Sequence, residues 1–338
     1  MADLKLGLAQ GYWGAAPNPN FVEMAQEAEK LGFDSVWSAE SWGNDAFTPL
    51  AWIGAQTKTI KLGTAVAQLS ARTPAACAMH SLSLDILSNG RLILGLGVSG
   101  PQVVEGWYGQ PFPKPLARTR EYIDILRQAF ERKEKITNSG PHYPLPYPGE
   151  DGTGLGKPLK PMVHPIRNDI PIYMGAEGPK NIALSTEIAD GWLPLFYNPY
   201  DETVYLESLK NAKPDFQIAQ MCSIDITDDI DAGLLKVKYF LSLYVGGMGA
   251  KDENFHKNLF ERMGYAAEAE EIQRLFFEGK REEAARVIPD ELADSLALVG
   301  PKDRIKDRLQ AWRDSKVTTL LVATTDKDHL RQVAELVL

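Results

Sequence analysis

The sequence predicts an α/β protein, a (β/α)8 barrel with insertions, and three observations carry that prediction. Short apolar runs alternate with amphipathic stretches along the chain, the pattern of repeated βα units around a parallel sheet. About eight such runs occur, the strand number of the barrel. Glycine, aromatic and polar residues gather just after the runs, where a barrel of this kind opens its mouth.

In chain order the predicted strands are "LKLGLA" from Leu4, "SVWSA" from Ser35, "IKLGTAV" from Ile60, "RLILGLG" from Arg91, "IPIYMGA" from Ile170, "GWLPLF" from Gly191, "FQIAQMCSID" from Phe216 and "TTLLVAT" from Thr318. Between the first two lies "PNFVEMAQEAEKLG", where Phe21, Met24, Ala25 and Ala28 share one helical face and Gly32 is a stop signal. The same helical period recurs in "LARTREYIDILRQAFER" and "PKDRIKDRLQAWRDS". Two stretches exceed an ordinary βα connection. Residues 133–169 are dense in Pro and Gly, and a loop of that length is usually functional or mobile; the alternative is a surface excursion. Residues 247–300 carry a charged, helix-rich insertion. Neither combines flexible flanks with a core of its own, so residues 1–338 read as a single domain.

Composition narrows the function. With 44% hydrophobic and 24% charged residues the chain is that of a soluble globular protein, and a net charge of −9 opposes any role in holding nucleic acid. Only Cys77 and Cys222 occur, which gives no disulfide framework and no Cys-x-x-Cys metal or redox motif, and fits a reducing cytoplasm; no metal is expected. The opening "MADLKLGLAQ" lacks the charged and apolar regions of a signal peptide, and no run approaches the roughly 18 apolar residues that span a bilayer. A cytoplasmic protein without membrane attachment is expected.

The stretch "GLGVSG" places Gly95, Gly97 and Gly100 in the Gly-x-Gly-x-x-Gly spacing of a dinucleotide-binding turn. That fingerprint also needs a second strand ending in an acidic residue about 20 positions on, and it normally follows the first strand of its domain. Here the later region reads "FPKPLARTREY" and three strand-like runs precede the motif, so a nicotinamide cofactor is not the expected ligand. Gly95 and Gly97 lie two apart on one strand face and admit close approach to the backbone, for which a cofactor is the natural candidate. Trp13, Glu40, Ser41, Trp42, Gln68, Ser99, Gly100, Glu105, Trp107, Gly175, Gly178 and Phe196 all follow strands, a shared address on one rim. In "GAEGPKNIALSTEIADG", Gly175 and Gly178 form a turn into a helix with Pro179 at its start, an arrangement whose free N–H groups attract phosphate.

The array "GFDSVWSAE", "IKLGTAV", "ARTPAACAMHSLSLDILSNGRLILGLGVSGPQVVEGWYG", "PIYMGAEGPKNIALSTEIADGW" and "LVGPKDRIKDRL" resembles the bacterial luciferase-like oxidoreductases, in particular the branch that uses coenzyme F420, a deazaflavin. The resemblance implies a luciferase-like barrel and hydride transfer through the deazaflavin ring to or from a small organic substrate. It implies that Glu40 contacts the cofactor headgroup, and that Ala65 and Val66 form a bulge, joined by a non-proline cis peptide, that supports one ring face. It implies that Val98, Ser99 and Gly100 lie beside the cofactor phosphate and that Ala176, Glu177, Gly178 and Pro179 clamp it, with Gly175 and Gln68 adjoining. Glu40 and Ser41 are the candidate catalytic positions. Sugar-phosphate dehydrogenases of this branch have His where this chain has Ser41, and serine is no general base near neutral pH. The substitution argues against sugar dehydrogenation and is compatible with hydride delivery to an electron-poor alkene, imine or carbonyl. An FMN-dependent monooxygenase of the same family and a non-catalytic flavin-binding protein are the alternatives. A small-molecule substrate and a homo-oligomer, dimer or tetramer, are the expected partners.

Overall fold

A computed structural model describes residues 4–16, 18–249 and 254–338. The apolar runs become eleven strands: β1 (Lys5–Gly11), β2 (Ser35–Ser38), β3 (Lys61–Thr64), β4 (Ala67–Gln68), β5 (Leu92–Gly97), β6 (Ile172–Gly175), β7 (Gly191–Leu193), β8 (Gln217–Met221), β9 (Ser223–Ile226), β10 (Ala297–Gly300) and β11 (Thr319–Ala323). Eight of them form a parallel barrel in the order β3-β2-β1-β11-β8-β7-β6-β5, closed by pairing of β5 with β3. Each predicted run contains one barrel strand. The strands are buried on both faces: outward residues such as Leu6, Leu8, Leu92 and Leu94 pack under the helices, while Ala9, Trp37, Ile93, Tyr173, Leu193, Ala219 and Leu321 fill the interior. At the end away from the mouth, the buried Arg91 guanidinium donates to Ser88, Thr57, Ile60 and Gly54, so its charge is enclosed in oxygen acceptors.

The glycines of "GLGVSG" have a structural purpose that differs from the expected one. A Cβ on Gly95 would overlap the carbonyl oxygen of Thr64, and one on Gly97 would come within 2.5 Å of Val66 Cγ2. The group that approaches this strand is thus the end of β3 itself, not a cofactor. The Thr64 hydroxyl completes the seam by accepting from Gly95 N–H (2.8 Å) and donating to Gly95 O (2.7 Å). The Ala65–Val66 peptide is cis, as the resemblance implied, and the chain resumes pairing with β5 as the short β4.

The segment 133–169 has no strand or helix of its own beyond one antiparallel bridge, Asn138 to Leu145. It runs outside the helix Pro115–Glu131, where Glu121 accepts from Asn138, His142 and Tyr143, and it is fixed at the far end of the barrel by Arg167 on the buried Asp85 and on Leu92 O. These anchors are on the outside and at the base. The second excursion lies between β9 and β10, a parallel pair off the barrel that the sequence reading did not separate. It contains the helices Ile230–Ser242, Phe255–Arg262, Ala266–Phe277, Arg281–Val287 and Asp290–Ser295, with a π-helical turn at Leu243–Gly247; within the expected 247–300 span, residues 250–253 lie outside the described residues.

Overpacking a filled core typically costs about 1–3 kcal/mol, and more where backbone blocks the way. Gly95→Ala, facing a carbonyl, should abolish folding or lower the melting temperature far more than Gly97→Ala, which faces a side chain. Combining Gly97→Ala with Val66→Ala should return part of the lost stability in a thermal melt. A double variant no more stable than Gly97→Ala alone would remove the contact with Val66 as the reason for glycine.

Candidate active site

Glu40 follows β2 and is buried at the rim. Its Oε1 accepts from the Gln68 N–H (2.6 Å) and Arg72 Nη1 (2.8 Å), and its Oε2 from the Ala46 N–H (3.1 Å) and Arg72 Nη2 (2.9 Å). Burial opposes the charge on Arg72, and the hydrogen bonds and charge of Glu40 outweigh it, so its pKa is raised. Arg72 also lies over the Phe47 ring, 5.0 Å from its centroid. A carboxylate holding four donors is an organiser of the rim: acting as a base would break the Arg72 fork. Gln68 donates its side-chain amide to Glu40 O (3.1 Å), and its Oε1 is buried with no partner among the described residues. Ser41 is half-buried, and its carbonyl accepts from Tyr108 Oη (3.3 Å). Trp42 and Trp107 are exposed, and Trp13 N–H donates to Asn44 Oδ1 (2.7 Å), joining the loops after β1 and β2.

Below that rim, Val66 forms the floor. Its methyl groups lie against Gly97 and Gly175, where a Cβ would come within 2.5 and 3.0 Å of them, and its carbonyl accepts from Glu40 N–H (3.3 Å). Two backbone turns flank it. After β5, Ser99 has a left-handed φ of 60°, and the N–H groups of Val98, Ser99 and Gly100 have no partner among the described residues. After β6, the N–H groups of Glu177 and Gly178 are likewise unpartnered, ahead of the helix Pro179–Ile188. The carbonyls of the same peptide units are tied down: Ala176 O accepts from Trp192 Nε1 (2.7 Å) and Glu177 O from Arg262 Nη2 (2.8 Å). In a trans peptide the C=O and N–H point opposite ways, so these bonds turn the Glu177 and Gly178 amides away from Trp192 and Arg262. A Cβ on Gly178 would meet nothing within 4 Å, so packing does not demand glycine there. The structure thus brings the predicted positions Ala65, Val66, Val98, Ser99, Gly100, Gly175, Ala176, Glu177, Gly178 and Pro179 to one end of the barrel, with Glu40, Ser41 and Gln68 on its rim.

Two clusters of unpaired amides beside an apolar, glycine-backed floor suit a planar ring carrying a phosphate. Comparison with known proteins agrees. Residues 7–319 match the model of the luciferase-like monooxygenase family. The chain belongs to that family. A protein of Mycobacterium tuberculosis, provisionally named a coenzyme F420-dependent oxidoreductase, is 53% identical over 99% of both chains. The 5,10-methylenetetrahydromethanopterin reductase of Archaeoglobus fulgidus is 27% identical over 88% of this chain and 87% of its own. Among solved structures, the coenzyme F420-dependent tetrahydromethanopterin reductase of Methanopyrus kandleri superposes with a TM-score of 0.80 at 22% identity, covering 99% of each chain, which is a likeness of fold.

In this luciferase-like chain the phosphate-type turn has an unusual neighbour. Glu177 is half-buried, with its Oε2 enclosed; burial of the carboxyl pushes its pKa up to about 8, against the N–H of Leu195 on Oε1 (2.9 Å) and the nearby charge of Arg262. Neither its Oε2 nor Arg262 Nε has a hydrogen-bond partner among the described residues. Tyr205 and Tyr244 have pKa values raised first by burial, and the Tyr205 hydroxyl donates to Phe196 O (2.9 Å). Half-buried His256, with its pKa lowered to about 4 by desolvation of the ring, packs edge-on against Phe196 and Tyr244. Asn254 holds this arrangement: its amide donates to Tyr244 O (3.0 Å) and Val245 O (2.9 Å) in the π-helical turn, and its Oδ1 caps the helix Phe255–Arg262. Sequence reasoning missed Arg72, Trp192, Asn254 and Arg262. Only Arg72 had a local signal, an arginine directly before the Thr73-Pro74 helix start.

Glu177 keeps its proton to about pH 8 when folded and would release it near its ordinary value of 4.5 when unfolded. Between those values the folded state binds the extra proton, so this residue makes stability fall as pH rises, by on the order of 1.4 kcal/mol per pH unit. Glu177→Gln should remove that contribution. Chemical unfolding at about pH 5 and about pH 8 should show the variant gaining on the wild type at the higher pH; a constant difference would mean Glu177 is not the buried acid.

Proposed function

We propose that this protein is a coenzyme F420-dependent oxidoreductase that delivers a hydride to a small, electron-poor organic substrate. The observation that carries the reading is the pairing of two unpartnered amide clusters, Val98–Gly100 and Glu177–Gly178, around the Val66 floor. The name of the 53% identical relative supports the deazaflavin over other ring cofactors. In this reading the amides hold the phosphate, Val66 backs the ring, and Gln68 Oε1, buried and unpaired, is the acceptor available to the headgroup. When bound, the deazaflavin supplies or takes up a hydride. Glu40 and Arg72 keep the rim in place, and Glu40 is a positioning residue because its oxygens are already engaged. Ser41 offers a hydroxyl and no base, which favours reduction of an alkene, imine or carbonyl, with the accompanying proton drawn from water at the rim.

A reducing cytoplasm is the compartment proposed, supported by two buried free thiols, Cys77 and Cys222; no helix among the described residues is long and apolar enough to cross a membrane. A homo-oligomer is part of the same proposal; it is supported by the exposed apolar residues Met79 and Leu87 of the helix Pro74–Leu87, with Trp52 and Ile166 exposed on neighbouring segments.

Titration of tryptophan fluorescence tests the cofactor, since Trp13, Trp42 and Trp107 sit at the rim. F420 should bind saturably and more tightly than FMN, and Gly178→Val should weaken F420 binding by about tenfold with an unchanged melt, by obstructing amides that meet phosphate. Tight FMN binding without a response to F420 would make the protein a flavin monooxygenase instead.

A further inference from the structure

The loop after β6 is held by two donors from different parts of the chain, and one of them belongs to the excursion between β9 and β10. Arg262, the last residue of the helix Phe255–Arg262, is half-buried and donates Nη2 to Glu177 O. It makes no hydrogen bond to the Glu177 carboxyl: Arg262 Nε and Glu177 Oε2 are both buried and unpartnered. A guanidinium that meets a carboxyl ordinarily pairs with it through both ends of its fork. Here one arm is spent on a backbone carbonyl instead. The carboxyl is directed elsewhere, accepting from Leu195 N–H.

We propose that Arg262 is a positioning residue for the phosphate seat: by fixing the Glu177 carbonyl it aims the Gly178 N–H at the cofactor phosphate, and Trp192 does the same for the Glu177 N–H through Ala176 O. This rests on the reading that the loop 176–179 holds that phosphate. The physical reason is rigidity. An amide that must stop rotating when the anion arrives loses entropy, and one already held by its carbonyl partner does not. Enclosure of the carboxyl serves the same end, because a proton-bearing Glu177 places no negative charge beside the anion. The helix that carries Arg262 is capped by Asn254, which also ties down the π-helical turn, so the orientation of one amide is linked to the packing of the whole excursion.

The test compares two ligands: F420, and its deazariboflavin fragment without phosphate. Wild-type protein should bind F420 more tightly than the fragment. Arg262→Met should lose about tenfold in F420 affinity, as expected for a hydrogen bond from a charged donor, while its affinity for the fragment stays unchanged. The loss should persist at high salt, since orientation is not screened whereas attraction between Arg262 and the phosphate would be. Trp192→Phe should narrow the F420 preference in the same direction, and it carries the test alone if Arg262→Met does not fold. The proposal is overturned if either folded variant keeps the wild-type preference, if both ligands weaken equally, or if the loss vanishes in salt. A wild type that binds both ligands equally would instead remove the phosphate seat itself.

Discussion

The carbonyl of Thr64 occupies the space where any residue but glycine at position 95 would carry its Cβ, and the mouth of this barrel depends on that close approach. Because β3 is pressed into β5 there, the chain can turn at Ala65–Val66 and set Val66 over Gly97 and Gly175. From Val66 the chain runs on to Gln68, whose N–H meets Glu40, and to Arg72, whose guanidinium forks onto the same carboxylate. Floor and rim are thus one continuous stretch of backbone. A side chain at position 95 would separate β3 from β5 and displace both.

The site divides its work between backbone and side chains. Charge at the rim is neutralised within the chain, Glu40 by Arg72, and the groups left free are mostly amides. Amides suit a phosphate that must be held without a fixed cation, since they offer direction without the desolvation cost of a buried charge. Their direction comes from behind, through Trp192 and Arg262. That dependence gives the excursion between β9 and β10 a role at the barrel mouth, although its residues are remote in sequence.

The barrel was legible because its strands are apolar runs with period-independent burial, and each predicted run holds a strand. The pair β9 and β10 was not, since β9 continues β8 after Cys222 and was read with it as one run, and β10 closes an excursion read as helix-rich. The turns Val98–Gly100 and Gly175–Pro179 were found from glycine, serine and proline at strand ends. The purpose of Gly95 and Gly97 was misread as room for a cofactor, because nothing local says that Thr64 and Val66, some 31 residues away, will fill it. The Glu40–Arg72 fork spans 32 residues and the Arg262–Glu177 bond 85, so neither leaves a spacing signature. Glu177 was expected only as part of the backbone clamp that the resemblance implied, and nothing local signalled its buried carboxyl oxygen. Its contacts, Leu195 N–H on the carboxyl and Arg262 on the carbonyl, exist only in the folded chain.

The most direct measurement is a crystal structure of the protein with F420 bound. The account predicts phosphate oxygens within hydrogen-bond reach of the amides of Ser99 or Gly100 on one side and of Glu177 or Gly178 on the other, with the deazaflavin ring lying against Val66. A ring seated away from Val66, or a phosphate that leaves both sets of amides unpartnered, would contradict it.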